Sequence, residues 1–313
     1  MKTIVQFLSL PAFGIIFALC LLPAHLLIAE EFTTDSARTA AVAGDPKAEY
    51  FLGKHYAAGI DVPADYTKAA EYLRQSANQG YAPAETALGS CYARGDGVRQ
   101  DYPTALEWYR KAAAQGDALA EYCLGFACAH GKGVPRDMDQ AVTWWQKAAE
   151  QGQVYAQNAL GQHYFHGDYA GDTNHIDFAK AAKWFRKASE QGYAPAMGAL
   201  AYMYQHGIGV NQDWSAALNW SRRGADLGDP TAEDNLGLMY ESADAGLPHN
   251  TMEAYKWFLL SEAQGCPLGR HDAMEIEIYH ALTEKQMAEA RRMTNALTAT
   301  MTSNRVTPQK AQE

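Results

Sequence analysis

Basic residues are in deficit in this chain: 26 Lys and Arg stand against 36 Asp and Glu, a net charge of −10. A dedicated nucleic-acid binder needs a basic stripe to displace counterions, so the balance argues against that class. Cysteine is scarce, with 5 in 313 residues, too few for a disulfide-dense scaffold. The common catalytic strings are missing: no H-E-x-x-H, G-x-S-x-G, C-x-x-C or S-x-x-K occurs. Gly131-Lys132-Gly133 lacks the Ser/Thr and the spacing of a phosphate loop. No cofactor is implied. Apolar residues make up 48% and aromatics 11%, enough for one large core or two ordinary ones and too apolar for a disordered chain.

Acidic and strongly basic residues are absent between Lys2 and Glu30. A basic start followed by the apolar residues 4–29 reads as a secretory signal. Leu22-Pro23-Ala24 and Leu27-Ile28-Ala29 are cleavage candidates, each with a large residue at −3. The segment is also long enough to span a bilayer as an uncleaved anchor. A buried structural helix is the third reading. Cys20 follows Leu19, where a bacterial lipidation site wants a small residue. The expected compartment is periplasmic or secreted, with inner-membrane anchoring through residues 4–29 as the alternative. Export permits disulfides among Cys91, Cys123, Cys128 and Cys266; the other reading is small packed hydrophobes, and the sequence does not decide.

A period runs through the rest. Leu52-Gly53, Leu88-Gly89, Leu124-Gly125 and Leu160-Gly161 recur every 36 residues; Leu200-Ala201 and Leu236-Gly237 continue after one gap of 40. Tyr72, Trp108, Trp144, Trp184 and Trp220 keep the spacing, with Trp257 one residue late. Each unit reads as helix, turn, helix. In the third, Ala120, Leu124, Gly125 and Cys128 form one helical stripe. Gly125 costs about 1 kcal/mol of helix propensity, which suggests a neighbouring helix too close for a Cβ. Gly131 is expected as a left-handed C-cap, and Asp137 as the N-cap of the second helix, with Asp65, Asp101, Asp177, Asp213 and Asn250 in the matching places. Ala141, Trp144 and Ala148 are expected to form that helix's buried face.

This pattern is similar to the Sel-one-like repeat family, a cousin of the tetratricopeptide repeat, with residues 120–152 its fullest copy. The Leu-Gly-x2-Tyr core appears at Leu52–Tyr56, Leu88–Tyr92, Leu160–Tyr164 and Leu236–Tyr240; Cys128 and Ala201 are departures. The expected fold is all-α, a right-handed α-solenoid of stacked helix-turn-helix repeats with helical end caps. Residues 1–29 are the signal or anchor, 30–47 an N-terminal capping helix, 48–265 six repeats, 266–300 C-terminal capping helices, and 301–313 a disordered tail. Residues 273–282 read as one cap helix, and Thr283-Glu284-Lys285-Gln286 as a capping box opening another to about Leu297.

His130, His166 and His206 each precede a turn glycine, where a cation suits the helix dipole. His163 and His166 lack a clear third metal ligand, so no metal is expected. The fourth unit carries four extra residues in the loop 168–177, a tolerated insertion or a contact loop.

Helix arithmetic at 100° per residue places a second stripe opposite the packing face, toward the concave side of a stacked array. Its members are Tyr50, Lys54, Thr86, Ser90, Tyr122, Phe126, Asn158, Gln162, Phe165, Tyr202, Asp234, Leu238 and Glu241. Aromatics among polar groups suit a peptide groove; packing against a neighbouring repeat is the competing explanation. Truncating Tyr122 and Phe126 is expected to weaken capture and leave melting nearly unchanged. The resemblance implies a non-catalytic scaffold or adaptor of the bacterial cell envelope with a protein or peptide partner. The acidic balance leads to no expected nucleic-acid partner, and membrane contact is expected only through an uncleaved N-terminal segment. A secreted penicillin-binding or β-lactamase-like repeat protein and a membrane-tethered envelope assembly factor are the alternatives.

Overall fold

The computed structural model describes residues 32–167, 175–279 and 282–306. The expected signal or anchor at residues 1–29 lies outside the described residues, as do 168–174 of the insertion loop and 307–313 of the expected tail. Among the described residues every regular element is helical: α1 (Thr34–Val42), then six hairpins, then α14 (Pro267–Ile278) and α15 (Glu284–Val306). The hairpins pair α2 (Pro46–Ala58) with α3 (Tyr66–Asn78), α4 (Ala82–Arg94) with α5 (Tyr102–Ala114), and α6 (Ala118–His130) with α7 (Met138–Glu150). They continue as α8 (Val154–His166) with α9 (Phe178–Glu190), α10 (Ala194–His206) with α11 (Trp214–Asp226), and α12 (Pro230–Ser242) with α13 (Thr251–Ala263). This is the solenoid class, repeated hairpins with helical caps. Two compact units are formed, one ending at Ala156 and one beginning at Gln157.

Local chemistry sets these boundaries. Asp65, Asp101, Asp137, Asp177, Asp213 and Asn250 all hold extended backbone, and each side chain accepts from a backbone N–H three residues on. Such a cap is worth about 1 kcal/mol over alanine. The first helices end on left-handed residues, Gly131 at φ 64° among them. In the sixth hairpin Ala243 takes that role at φ 61°, and Ala245 follows at φ 58°, so this turn is strained.

The packing stripe is the one expected. Ala48, Ala84, Ala120, Ala156, Ala196 and Ala232 are sealed from solvent, and so are the leucines four residues later. Each such leucine contributes about 2 kcal/mol of burial. The helical glycines admit the second helix. A Cβ on Gly125 would lie 2.5 Å from Trp145 Cδ1 and 3.0 Å from the Ala141 carbonyl. Gly53 meets Leu73, Gly89 meets Tyr109, Gly161 meets Phe185 and Gly237 meets Phe258 in the same way. The fifth hairpin carries Ala201 and Ser221 instead, both fully buried. Where the first helix gains a methyl, the residue 20 positions on, in the register of Gly125 and Trp145, is small.

One expectation is corrected here. Trp144 does not fill the core; its neighbour Trp145 does, at 3% exposure. Ala141, Trp145 and Ala148 fall at i, i+4 and i+7 on one face, whereas Trp144 is rotated to the edge. The periodic aromatics instead lie half-buried under cations: Lys111 over Trp108, Lys147 over Trp144, Lys187 over Trp184 and Arg223 over Trp220, at 3.9 to 4.7 Å from the ring centroids.

A second recurrent tie was not read from the sequence. Gln79 donates to Glu49 at 2.7 Å, Gln115 to Glu85 at 2.8 Å and Gln151 to Glu121 at 2.7 Å. Each links the end of the second helix to the first turn of the first. In the fourth hairpin Gln191 donates to Gln157 at 2.7 Å, so the tie survives loss of the charge.

At the C-terminal end, α14 begins at Pro267, six residues before the expected start, because proline at N1 opens a helix. Thr283 and Gln286 form the expected reciprocal cap. α15 runs to Val306, past both Leu297 and the boundary at 300, because no glycine or proline interrupts it until Pro308. The Tyr255 hydroxyl donates to Glu277, and Arg291 donates to both, tying α13, α14 and α15 together.

Candidate partner-binding surface

The stripe opposite the packing face is not uniform. In the unit ending at Ala156, Ser90 is 1% exposed and its hydroxyl bonds with the Thr86 carbonyl and Tyr109. Thr86 donates to Asp117, the N-cap of the next hairpin. Ser90 therefore ties the two helices of its own hairpin, and Thr86 ties that hairpin to the next. Tyr122 is 5% exposed, its ring 5.7 Å from that of Tyr155, so its removal would cost packing rather than leave melting unchanged. Phe126 is half-buried and stacks on His130 at 4.1 Å.

Tyr50 and Lys54 are half-buried beside a pocket of about 190 Å³, which Phe32, Phe51, His55 and Tyr81 also line. The Tyr50 and Tyr81 rings meet edge to face at 5.5 Å, and the Lys54 ammonium lies over Tyr50. His55, absent from the sequence-derived set, stacks on Phe51 at 3.9 Å, and its Nδ1 is 3.8 Å from Asp61 Oδ2.

In the unit beginning at Gln157, Asn158, Gln162, Tyr202 and Leu238 are half-buried, Glu241 is exposed and Asp234 is 4% exposed. Phe165 is 8% exposed among Phe178, Phe185 and Tyr202, another packing residue. Burial pushes the Asp234 carboxyl up to about 7, and Asp272 of α14 adds to it. Burial first, then Asp272 and Glu275, raise Glu241. Asp272 was not anticipated, because the repeats are read only to Gly265 and this residue lies beyond it.

The turn histidines differ from expectation. Burial lowers His130 and His206 below the usual range and takes His166 to about 4. His166 is therefore neutral near pH 7 and adds no cation to its helix end. No group of three or more His, Cys, Asp or Glu among the described residues is arranged to hold a metal ion. Cys91, Cys123, Cys128 and Cys266 are free buried thiols, with Cys91 pushed up to about 11 by burial. No helix of the described residues is long and apolar enough to cross a membrane.

The Sel1 repeat matches residues 46–81, 82–117, 118–153, 154–193, 194–229 and 230–266. A protective antigen of uropathogenic Escherichia coli strains, displaying an SLR fold, is 33% identical over 85% of this chain with a TM-score of 0.68. The chain spans 56% of that antigen's length. A Sel1 repeat protein from Oxalobacter formigenes is 29% identical over 74% of this chain and 88% of its own, with a TM-score of 0.60. No curated protein matches. The repeat model covers all six hairpins in succession, and the chain belongs to the Sel1 repeat family, whose members generally mediate protein–protein interactions.

Proposed function

We propose that the chain is a non-catalytic scaffold of the bacterial cell envelope that binds a protein or peptide partner along its first helices. The observation carrying this is the contrast between the two stripes of those helices. Alanine and leucine on one stripe are sealed by the hairpin partner, while Phe126, Asn158, Gln162 and Tyr202 on the other stay half-buried. Aromatic and amide groups of that kind supply anchors and orienting hydrogen bonds to a bound segment. A general acid, a base and an activated nucleophile within reach of one another would be needed for hydrolysis, and the reading assigns no residue to such roles. The uncharged residues 4–29 support export, and the likeness to an antigen of Escherichia coli supports an envelope setting.

The test is affinity capture from envelope extract with mass spectrometry, comparing the native chain with a Gln162→Ala, Tyr202→Ala double variant. Loss of specific partners with unchanged melting supports the reading. Equal capture by both chains removes these residues from the surface. Nitrocefin is expected to stand unhydrolysed; turnover above blank would replace the scaffold with an enzyme. Intact mass and fractionation decide whether residues 4–29 are cleaved or retained as an anchor.

A further inference from the structure

The first hairpin carries a small pocket of about 190 Å³ walled by the rings of Phe32, Tyr50, Phe51 and Tyr81. Phe32 and Phe51 meet at 6.0 Å between centroids, and Tyr50 meets Tyr81 edge to face at 5.5 Å. Lys47, Lys54 and His55 complete the lining. Lys47, Phe51, Lys54 and His55 fall at i, i+4, i+7 and i+8, one stripe of α2. The volume is below the ~300–1,000 Å³ of sites for drug-sized ligands, and leaves room for one ring with a short substituent.

The residues that make this pocket depart from the repeat. In no other hairpin is the position of Lys47 or of Lys54 basic. Phe51 stands where the others carry alanine, cysteine or asparagine. His55 stands where Cys91, Ala127, Met203 and Met239 are buried, and only His163 of the fourth hairpin repeats it. His55 is 3% exposed, and neither of its ring nitrogens has a hydrogen-bond partner. Asp61 Oδ2 stays 3.8 Å from Nδ1 and accepts from the Thr34 hydroxyl at 3.1 Å. A buried imidazole without a partner is costly at a position that other hairpins fill with apolar groups.

Two ligand classes suit a pocket walled by rings. A quaternary ammonium suits ring faces alone, and the two lysines oppose it. A carboxylate suits the lysines, and a ring attached to it suits the aromatic walls. Acidic groups nearby are engaged within the fold: Asp45 accepts from the N–H groups of Lys47 and Ala48, and Glu49 accepts from Gln79. The Lys54 ammonium lies 5.5 Å from the Tyr50 centroid, so charge and ring are presented side by side.

We propose that this pocket is a binding site for a small aromatic carboxylate, its ring among Tyr50, Phe51 and Tyr81 and its carboxylate at Lys54 and His55. Lys47, two turns away on the same stripe, adds to the attraction. The site uses neither Gln162 nor Tyr202, so it stands or falls apart from the scaffold reading.

The experiment titrates the full chain with 3-phenylpropionate, its neutral amide, acetate and tetramethylammonium, read by calorimetry and by chemical-shift changes in α2. The phenylpropionate is expected to bind, and the amide to bind about tenfold more weakly, the loss expected of a charge-assisted hydrogen bond. Acetate, which lacks the ring, should bind more weakly still. Lys54→Gln should reproduce the amide's loss, and His55→Phe, which keeps a stacked ring and removes the donor, should weaken binding severalfold. Acetyl-Gly-Gly-Phe with a free carboxylate separates the sources of this chemistry. Binding at least as tight as the free acid's assigns the ring to a chain terminus, weaker binding assigns it to a small molecule, and both keep the aromatic carboxylate. No phenylpropionate binding, equal binding of the amide, tighter binding of tetramethylammonium, or binding untouched by both variants overturns the proposal.

Discussion

Gly125→Ala is a small change whose sign the structure reverses. On an isolated helix the substitution gains about 1 kcal/mol in propensity. Here the new Cβ would lie 2.5 Å from Trp145 Cδ1 and 2.6 Å from its Nε1, with the Ala141 carbonyl at 3.0 Å. The indole is 3% exposed and packed on all sides, so it cannot swing away as a flexible chain would. Overpacking of this kind costs about 3 kcal/mol at the upper end, leaving a net loss of about 2 kcal/mol. That corresponds to a fall in Tm of about 4–8 °C for a domain of roughly this size. Trp145→Ser alone should cost about 3–5 kcal/mol through the cavity it leaves. The double variant recreates the Ala201 and Ser221 pairing of the fifth hairpin and should be less destabilised than the sum by at least about 1 kcal/mol. Urea titrations followed by far-UV circular dichroism, with a constant slope checked across the four chains, give the cycle. A stabilised Gly125→Ala, or additivity within about 0.5 kcal/mol, would refute the close-approach argument.

Ala243→Gly relieves a left-handed alanine and is expected to stabilise the chain by about 1 kcal/mol; an unchanged urea midpoint would contradict the strain. Gln151→Ala strips the donor from Glu121 and should cost about 1–2 kcal/mol, more than Gln191→Ala opposite the neutral Gln157, and urea midpoints of the two variants check the order. Asp234 is raised from 3.8 to about 7 in the folded chain, so folding retains a proton that unfolding releases. Its stabilising share is full below about pH 3.8 and is lost as pH rises toward 7. Asp234→Asn should therefore gain stability relative to the native chain between pH 5 and pH 8, up to a ceiling of about 4 kcal/mol. A difference that does not vary with pH, measured by urea melts at several pH values, would contradict the burial argument.

Much of the architecture is legible because each hairpin repeats one local logic. The Leu-Gly pairs, the aspartate caps and the turn glycines act within a few residues of one another, so a single helical wheel reveals them. The core tryptophan was misplaced by one position because Trp144 and Trp145 are adjacent, and periodicity alone favours the one that recurs as tryptophan. The structure shows that the recurring ring lies under a cation while its neighbour, variously Leu73, Tyr109, Trp145 and Phe185, meets the glycine. The glutamine ties span 30 residues and join two helices, which no single-helix pattern displays. The candidate surface was harder for the same reason. Angle arithmetic gives the direction of Ser90, Thr86 and Tyr122, but not that Tyr109, Asp117 and Tyr155 come from neighbouring helices to cover them. Asp272 and Glu275 were overlooked because they lie beyond Gly265, where the repeat reading ends.

Site-specific photo-crosslinking tests the central claim most directly. A benzoyl-phenylalanine placed at position 162 or 202, on the first helices, is compared with one at 144 or 184, on the second. After incubation with envelope extract, covalent adducts to the same partner are expected from 162 and 202 and not from 144 and 184. Adducts confined to 144 and 184, or none that differ among the four positions, would contradict recognition by the first helices.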